Sequence, residues 1–197
     1  MKAARVDRVI FVLLLGSLAV NAYVGVTGRS LFAHSSGAPP ALTETGPYDS
    51  KQLAGRAAPP IDTVRLNGDS VTVAVAEKPL LLYVMSPTCG WCLRNTANIQ
   101  TIAKASGSKY RLVGLSLIRN GLDDYLRDHP IPFEVFVFKN AQDPKLASYG
   151  FGATPTMYVV SLDGKIERAW GGALQGGSLR DAEAFFGFTL PGLPTAS

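Results

Sequence analysis

The sequence predicts an α/β domain built on a central mixed sheet and preceded by an apolar segment long enough to cross a membrane. Three observations carry this. Leu80-Leu81-Leu82-Tyr83-Val84-Met85 and Tyr110-Arg111-Leu112-Val113-Gly114-Leu115-Ser116-Leu117-Ile118 are largely apolar runs separated by a stretch with few helix breakers, the pattern of a βαβ unit with parallel strands buried on both faces. Asn67-Gly68 and Asp163-Gly164 each join two short strand-like runs, which adds antiparallel hairpins. Val9 to Val26 is almost wholly apolar and follows Lys2, Arg5 and Arg8. The chain has 197 residues, which allows one domain plus an extension. With 47% hydrophobic and 17% charged residues it is not a disordered chain. The net charge of +4 is modest and partly owed to the basic start, and no basic stripe interleaves with aromatics, which argues against a nucleic-acid partner.

Taken in order, residues 1–26 read as a signal anchor, with a cleaved signal peptide ending after Ala22 as the alternative. The positive-inside rule keeps Lys2, Arg5 and Arg8 in the cytoplasm and sends the rest of the chain outside, into an oxidising compartment. Residues 27–56 are rich in Gly, Ala, Ser and Pro without periodicity and form a flexible tether. The folded domain spans 57–190, and 191–197 is a tail. It opens with a hairpin of Thr63-Val64-Arg65-Leu66 and Val71-Thr72-Val73-Ala74-Val75.

Met85-Ser86-Pro87-Thr88-Cys89-Gly90-Trp91-Cys92 contains the only two cysteines. Pro87 ends the preceding strand, and Trp91 to Ala105 reads as a helix with Trp91, Ile99, Ile102 and Ala103 on its buried face. On a helix starting at Cys89, Cys92 lies one turn further along the same face, within the roughly 4.4–6.8 Å that a disulfide spans between Cα atoms. The free N–H groups of a helix start favour an anion, so Cys89 should ionise more easily than a free thiol near about 8.5. That assigns Cys89 as nucleophile and Cys92 as the resolving thiol. Two bland alternatives stand beside this. A structural disulfide closing so short a loop would stabilise weakly, and a zinc site would need two further ligands where the chain has only His34 and His129.

Downstream, Asn120 to Asp128 can form a short helix with Leu122, Tyr125 and Leu126 on one face, stopped by Pro130 and Pro132. Phe133 to Phe138 reads as a strand, with aromatic packing alone as the other explanation of its composition, and Asp143 to Tyr149 as a helix with Pro144 in its first turn. A strand follows Thr154-Pro155 and turns through Asp163-Gly164 into Ile166 to Trp170. The last helix should start near Ser178, with Asp181 completing a near capping box and Leu179, Ala182, Phe185 and Phe186 buried.

Together these residues resemble the thioredoxin fold, a three-layer sandwich, and within it the membrane-anchored TlpA/ResA-like branch of bacterial thiol–disulfide oxidoreductases. The likeness covers about Pro59 to Leu190. It rests on the early hairpin, Cys89-Gly90-Trp91-Cys92 at a strand-to-helix turn, the inserted segment Gly114 to Phe138, and Gly152-Ala153-Thr154-Pro155-Thr156 ahead of the second hairpin. The phrase Ser86-Pro87-Thr88-Cys89 is similar to the branch that assists methylamine dehydrogenase maturation. The resemblance implies a redox-active Cys89–Cys92 disulfide, a cis bond at Pro155 opposite it, and Trp91, Thr154 and Pro155 against the substrate. It implies no cofactor, protein thiols and disulfides as clients, a membrane protein as electron donor, and a catalytic domain in the periplasm on a single-pass inner-membrane anchor. Many relatives carry a buried acid near the cysteines; the corresponding places here hold Tyr83 and Asn95, and neither is a carboxylate. Arg94 is either a neighbour of the thiolate or solvated.

The expected activity is disulfide exchange with extracytoplasmic proteins, as a reductase. A copper-delivery module using the cysteine pair and His129 is the alternative from another class. A peroxidase is the third, and it lacks an arginine evidently placed to activate peroxide.

Overall fold

The computed structural model describes residues 52–151 and 153–194. The apolar segment and nearly all of the tether therefore lie outside the described residues, as does Gly152. Among the described residues no helix is long and apolar enough to cross a membrane.

Seven strands form one sheet: β1 (Ile61–Val64), β2 (Ser70–Val73), β3 (Leu80–Met85), β4 (Arg111–Ser116), β5 (Val135–Phe138), β6 (Thr156–Val160) and β7 (Ile166–Gly171). Their spatial order is β2-β1-β5-β4-β3-β6-β7. Strands β3, β4 and β5 are mutually parallel, while β1, β6 and β7 enter by antiparallel pairings, so the sheet is mixed. The first hairpin pairs Ile61 with Val73 and turns through Asn67-Gly68, where Gly68 has φ +96°, a conformation that a side chain rarely tolerates. Gly114 is required for another reason. A Cβ on it would stand 2.8 Å from Val135 Cγ2, so β4 and β5 could not pass as closely.

Strand β3 divides its side chains between two cores, as period-two alternation demands. Leu81, Tyr83 and Met85 join Cys92, Ile99, Ile102, Leu122, Tyr125 and Ala182. Leu80, Leu82 and Val84 join Leu53, Ile61, Leu146, Tyr149 and Tyr158. The first face is covered by α1 (Gly90–Arg94), α2 (Thr96–Ser106), α3 (Leu122–Asp128) and α4 (Gly176–Phe186). A 3-10 helix, Pro144–Tyr149, and the segment around Leu53 and Ala58 cover the second.

Several expectations need correction. The helix read from Trp91 to Ala105 is two helices, broken at Asn95, whose N–H is shared between the carbonyls of Trp91 and Cys92. The break leaves Trp91 outside the buried face at 47% exposure, because in a five-residue helix only Cys92 turns inward. The segment after Asp143 winds as a 3-10 helix, with Asp143 accepting from the Lys145 N–H at 3.0 Å. The last helix starts at Gly176, where Ser178 Oγ accepts from the Gln175 N–H at 3.1 Å. Asp181 does not cap it; its carboxylate instead accepts from Trp170 Nε1 at 2.8 Å. In α4 only Ala182 is fully buried, with Leu179, Phe185 and Phe186 partly so.

The tyrosines set the alkaline limit of this fold. Burial pushes the hydroxyl pKa of both Tyr83 and Tyr149 far above the ordinary value, and Tyr149 also donates to the Pro59 carbonyl at 3.0 Å. The unfolded chain releases these protons at about 10 while the folded chain keeps them, so stability is complete below that pH and is lost as pH rises above it. Urea midpoints should be flat from pH 7 to about 9 and fall beyond about 10. Tyr149→Phe should lower the midpoint at neutral pH but flatten the alkaline decline; an unchanged decline in both Tyr149→Phe and Tyr83→Phe would contradict this account.

Candidate active site

The cysteine pair is positioned by the end of β3. Ser86 to Cys89 is a tight turn with Pro87 at its second position and the Cys89 N–H donating to the Ser86 carbonyl at 3.0 Å. Ser86 Oγ and Thr88 Oγ1 share a hydrogen bond of 3.0 Å across it. Cys89 is the N-cap of α1, and its sulfur accepts from the Cys92 N–H at 3.0 Å. The two cysteines form a disulfide with Cα atoms 5.2 Å apart.

The two sulfur positions are unequal. Cys89 is half-buried at the rim, whereas Cys92 is 0% exposed among the apolar side chains beneath the helix. Trp91 lies exposed between them in sequence, with the Arg94 guanidinium 4.6 Å from its ring centroid. Arg94 thus stacks on the indole, a cation–π contact worth about 0.5–1 kcal/mol where exposed.

The β3–β6 register pairs Val84 with Thr156. One step further along both strands sets Pro155 beside Met85, at the sheet end that carries the cysteine turn. The Thr154–Pro155 peptide bond is cis. Pro155 is buried and Thr154 half-buried. The Pro155 carbonyl accepts from the Gly172 N–H at 2.8 Å, and Thr156 Oγ1 donates to the Ala153 carbonyl at 2.7 Å. Among the described residues nothing hydrogen-bonds the Thr154 backbone.

Beneath α1 the polar groups are neutral. Tyr83 is 1% and Asn95 2% exposed. The Tyr83 hydroxyl lies next to the Asn95 amide but makes no hydrogen bond of normal geometry. Asn98, fully buried on α2, is the residue that sequence reasoning missed. Its Nδ2 donates to Asn95 Oδ1 at 2.9 Å, and the Leu174 N–H donates to the same oxygen at 3.1 Å. The Gly192 N–H donates to Asn98 Oδ1 at 2.9 Å. Its only signal was a polar residue one position before Ile99 on a helix otherwise read by its apolar face.

His129 ends α3 with its ring 5.2 Å from that of Tyr125. Among the described residues no three His, Cys, Asp or Glu side chains gather as metal ligands. His34 lies outside the described residues.

No protein-family model matches the chain, and no curated protein sequence matches it. Solved structures do resemble it. The thioredoxin domain of a thiol-disulfide oxidoreductase from Bacteroides vulgatus is 24% identical, with a TM-score of 0.54 over 68% of this chain and 96% of that one. A thiol:disulfide interchange protein from Bacteroides sp. is 21% identical, with a TM-score of 0.55 over 68% and 90%. StoA from Bacillus subtilis is 14% identical, with a TM-score of 0.50 over 64% and 97%. The domain has the thioredoxin fold. The mixed sheet and the cysteine pair at the strand-to-helix turn agree with what the sequence predicts.

The unequal burial generates a prediction. In the reduced protein, brief alkylation followed by mass mapping should label Cys89 faster than Cys92 by about an order of magnitude. Equal labelling would mean that the burial of Cys92 does not persist on reduction.

Proposed function

We propose that this domain is a thiol–disulfide oxidoreductase that reduces protein disulfides outside the cytoplasm, with Cys89 as nucleophile and Cys92 as resolving thiol. The observation that carries the reading is the asymmetry of the pair: one sulfur at the rim on a helix cap, its partner buried three residues on. The thiol-disulfide oxidoreductases of the same fold support it.

The reaction balances as two exchanges. The Cys89 thiolate attacks one client sulfur, the client S–S bond breaks, and the other client sulfur leaves as a thiolate that takes up a proton. Cys92 then loses its proton and attacks Cys89 Sγ. The Cys89–client bond breaks, the second client sulfur is protonated, and two electrons have passed to the client as the Cys89–Cys92 disulfide forms. A membrane electron donor returns two electrons to the pair. The exposed Trp91 ring and the unpaired Thr154 backbone beside Pro155 supply a surface on which an extended client segment could lie, its backbone pairing with Thr154 as an added strand. Attachment through residues 9–26 would keep the domain beside its donor on the outer face of the inner membrane. Copper delivery gains no support from His129, which joins no ligand cluster with the cysteines among the described residues.

Cys92→Ser should accumulate mixed disulfides with clients through Cys89, visible as reducible high-mass bands, and Cys89→Ser should not. Equal trapping by the two variants would overturn the assigned roles. The reduction potential of the pair tests direction: a value well above that of the oxidising compartment's own couples would make the domain an oxidase. After an alkaline wash the full chain should stay with the membrane; release of a shortened soluble chain would identify residues 1–22 as a cleaved signal.

A further inference from the structure

The buried amides beneath the cysteine helix form a clamp that the two-cysteine chemistry does not explain. Asn95 stands at the joint between α1 and α2, three residues after Cys92, and its backbone N–H closes the cysteine turn onto the carbonyls of Trp91 and Cys92. Its side-chain oxygen collects two donors from different parts of the chain: Asn98 Nδ2 at 2.9 Å and the Leu174 N–H at 3.1 Å. Leu174 follows β7, in the loop that leads to α4. Asn98 in turn donates to the Leu174 carbonyl at 3.4 Å and accepts from Gly192 in the segment after α4. Two donors on one oxygen fix which way the amide faces. The end of the cysteine helix is therefore tied by one side chain to the far edge of the sheet and, through Asn98, to the C-terminal segment.

We infer that Asn95 is a positioning residue for the resolving step: through its Oδ1 it holds the Cys92 turn against the Leu174 loop, so that Cys92 meets Cys89 Sγ in line when Cys89 carries a client. The inference rests on the proposed disulfide exchange and concerns its second half alone. Cys89 sits on the cap side of α1, ahead of the joint, and is held by its own turn on Ser86, so the joint bears on its first attack only through the Cys92 N–H that its sulfur accepts and far less than on the second. A misplacement of about 1 Å at a reacting atom can cost about 10²-fold in rate, which makes one clamp residue sufficient to matter. Because both recorded bonds to Oδ1 are accepted, an aspartate in this place keeps them, whereas an apolar residue leaves the Leu174 N–H and Asn98 amide without their partner.

The test separates the two halves with an aromatic disulfide, Ellman's reagent, on the reduced full chain. Cys89 attacks the reagent and releases one coloured thiolate. Cys92 then attacks Cys89 Sγ, the bond from Cys89 to the aromatic sulfur breaks, the Cys92 proton passes to solvent, and a second thiolate is released as the Cys89–Cys92 bond forms. Asn95→Leu should leave the first release little changed and slow the second by about tenfold or more. Asn95→Asp should restore the second release. It should also give that phase a new pH-dependent transition, because a carboxylate would now join the titratable groups nearby, Cys92 on α1, Tyr83 on β3 and Tyr125 on α3. Slowing of both phases by one factor, or an aspartate variant no faster than the leucine one, would overturn the inference. If Asn95→Leu does not fold, the aspartate variant decides: a second-phase pH profile identical to that of the unmodified chain would show that position 95 is not coupled to Cys92. Failure of the first release in the unmodified chain would instead remove the proposed function itself.

Discussion

Burial of β3 on both faces is the constraint from which the site follows. Six consecutive side chains, Leu80 to Met85, are buried, and burying each of the large apolar ones contributes about 1.5–3 kcal/mol relative to exposure. A strand so enclosed cannot slide by one residue without exchanging Leu81, Tyr83 and Met85 for Leu80, Leu82 and Val84 between unlike cores. Its end is therefore fixed, and so is the point where Ser86-Pro87-Thr88 turns the chain. Cys89 stands at the rim because the strand stops there. Cys92 is buried because one helical turn carries it back over the same core. The ion pairs recorded on the surface, such as Arg65 with Glu134 at 2.6 Å, join exposed groups and contribute little to this anchoring.

Much of this was legible in the chain because the signals were local or periodic. The apolar runs of β3 and β4, the Asn67-Gly68 and Asp163-Gly164 turns and the Cys89–Cys92 spacing each state their structure within a few residues. Element ends were less legible. The segment after Asp143 has the composition of a helix, yet it winds as a 3-10 helix that buries Leu146 and Tyr149. Asp181 looked like a cap because of its spacing from Ser178, yet an indole N–H from a neighbouring strand competes for it and wins. Trp91 looked like core because it is large and apolar. A helix that breaks after five residues has no second turn to carry it inward, and at the break Asn95 accepts from Leu174, 79 residues away.

The interior beneath the cysteines shows why long-range partners escaped the sequence reading. An asparagine at position 95 or 98 is a poor helix former that favours turns and caps, so composition alone makes each look like a surface residue. Both are buried, and a buried amide without partners would cost on the order of 1–3 kcal/mol. Asn95 and Asn98 meet that cost by bonding to each other and to backbone groups of Leu174 and Gly192. The segment just past Leu190 thereby takes part in the packing of the domain, its Gly192 N–H satisfying a side chain on α2.

A buried site whose polar groups are amides and a phenol handles protons differently from one with a carboxylate. Burial holds the Tyr83 hydroxyl protonated far beyond neutral pH, so it offers a dipole and no base, and an amide neither gains nor loses a proton there. In the proposed exchange, the proton that leaves Cys92 must then go directly to the departing sulfur or to water admitted at the rim. Either route places the burden on geometry: the acceptor has to be in line and close at the moment of attack, because among the described residues no buried carboxylate waits to take the proton early. The turn from Ser86 to Cys89 is closed by a backbone bond, the Cys89 sulfur accepts from the Cys92 N–H, and Asn95 at the following joint is bonded to two separate segments. In the proposed reaction, the placement of the cysteine pair has to do the work that a buried carboxylate would otherwise assist.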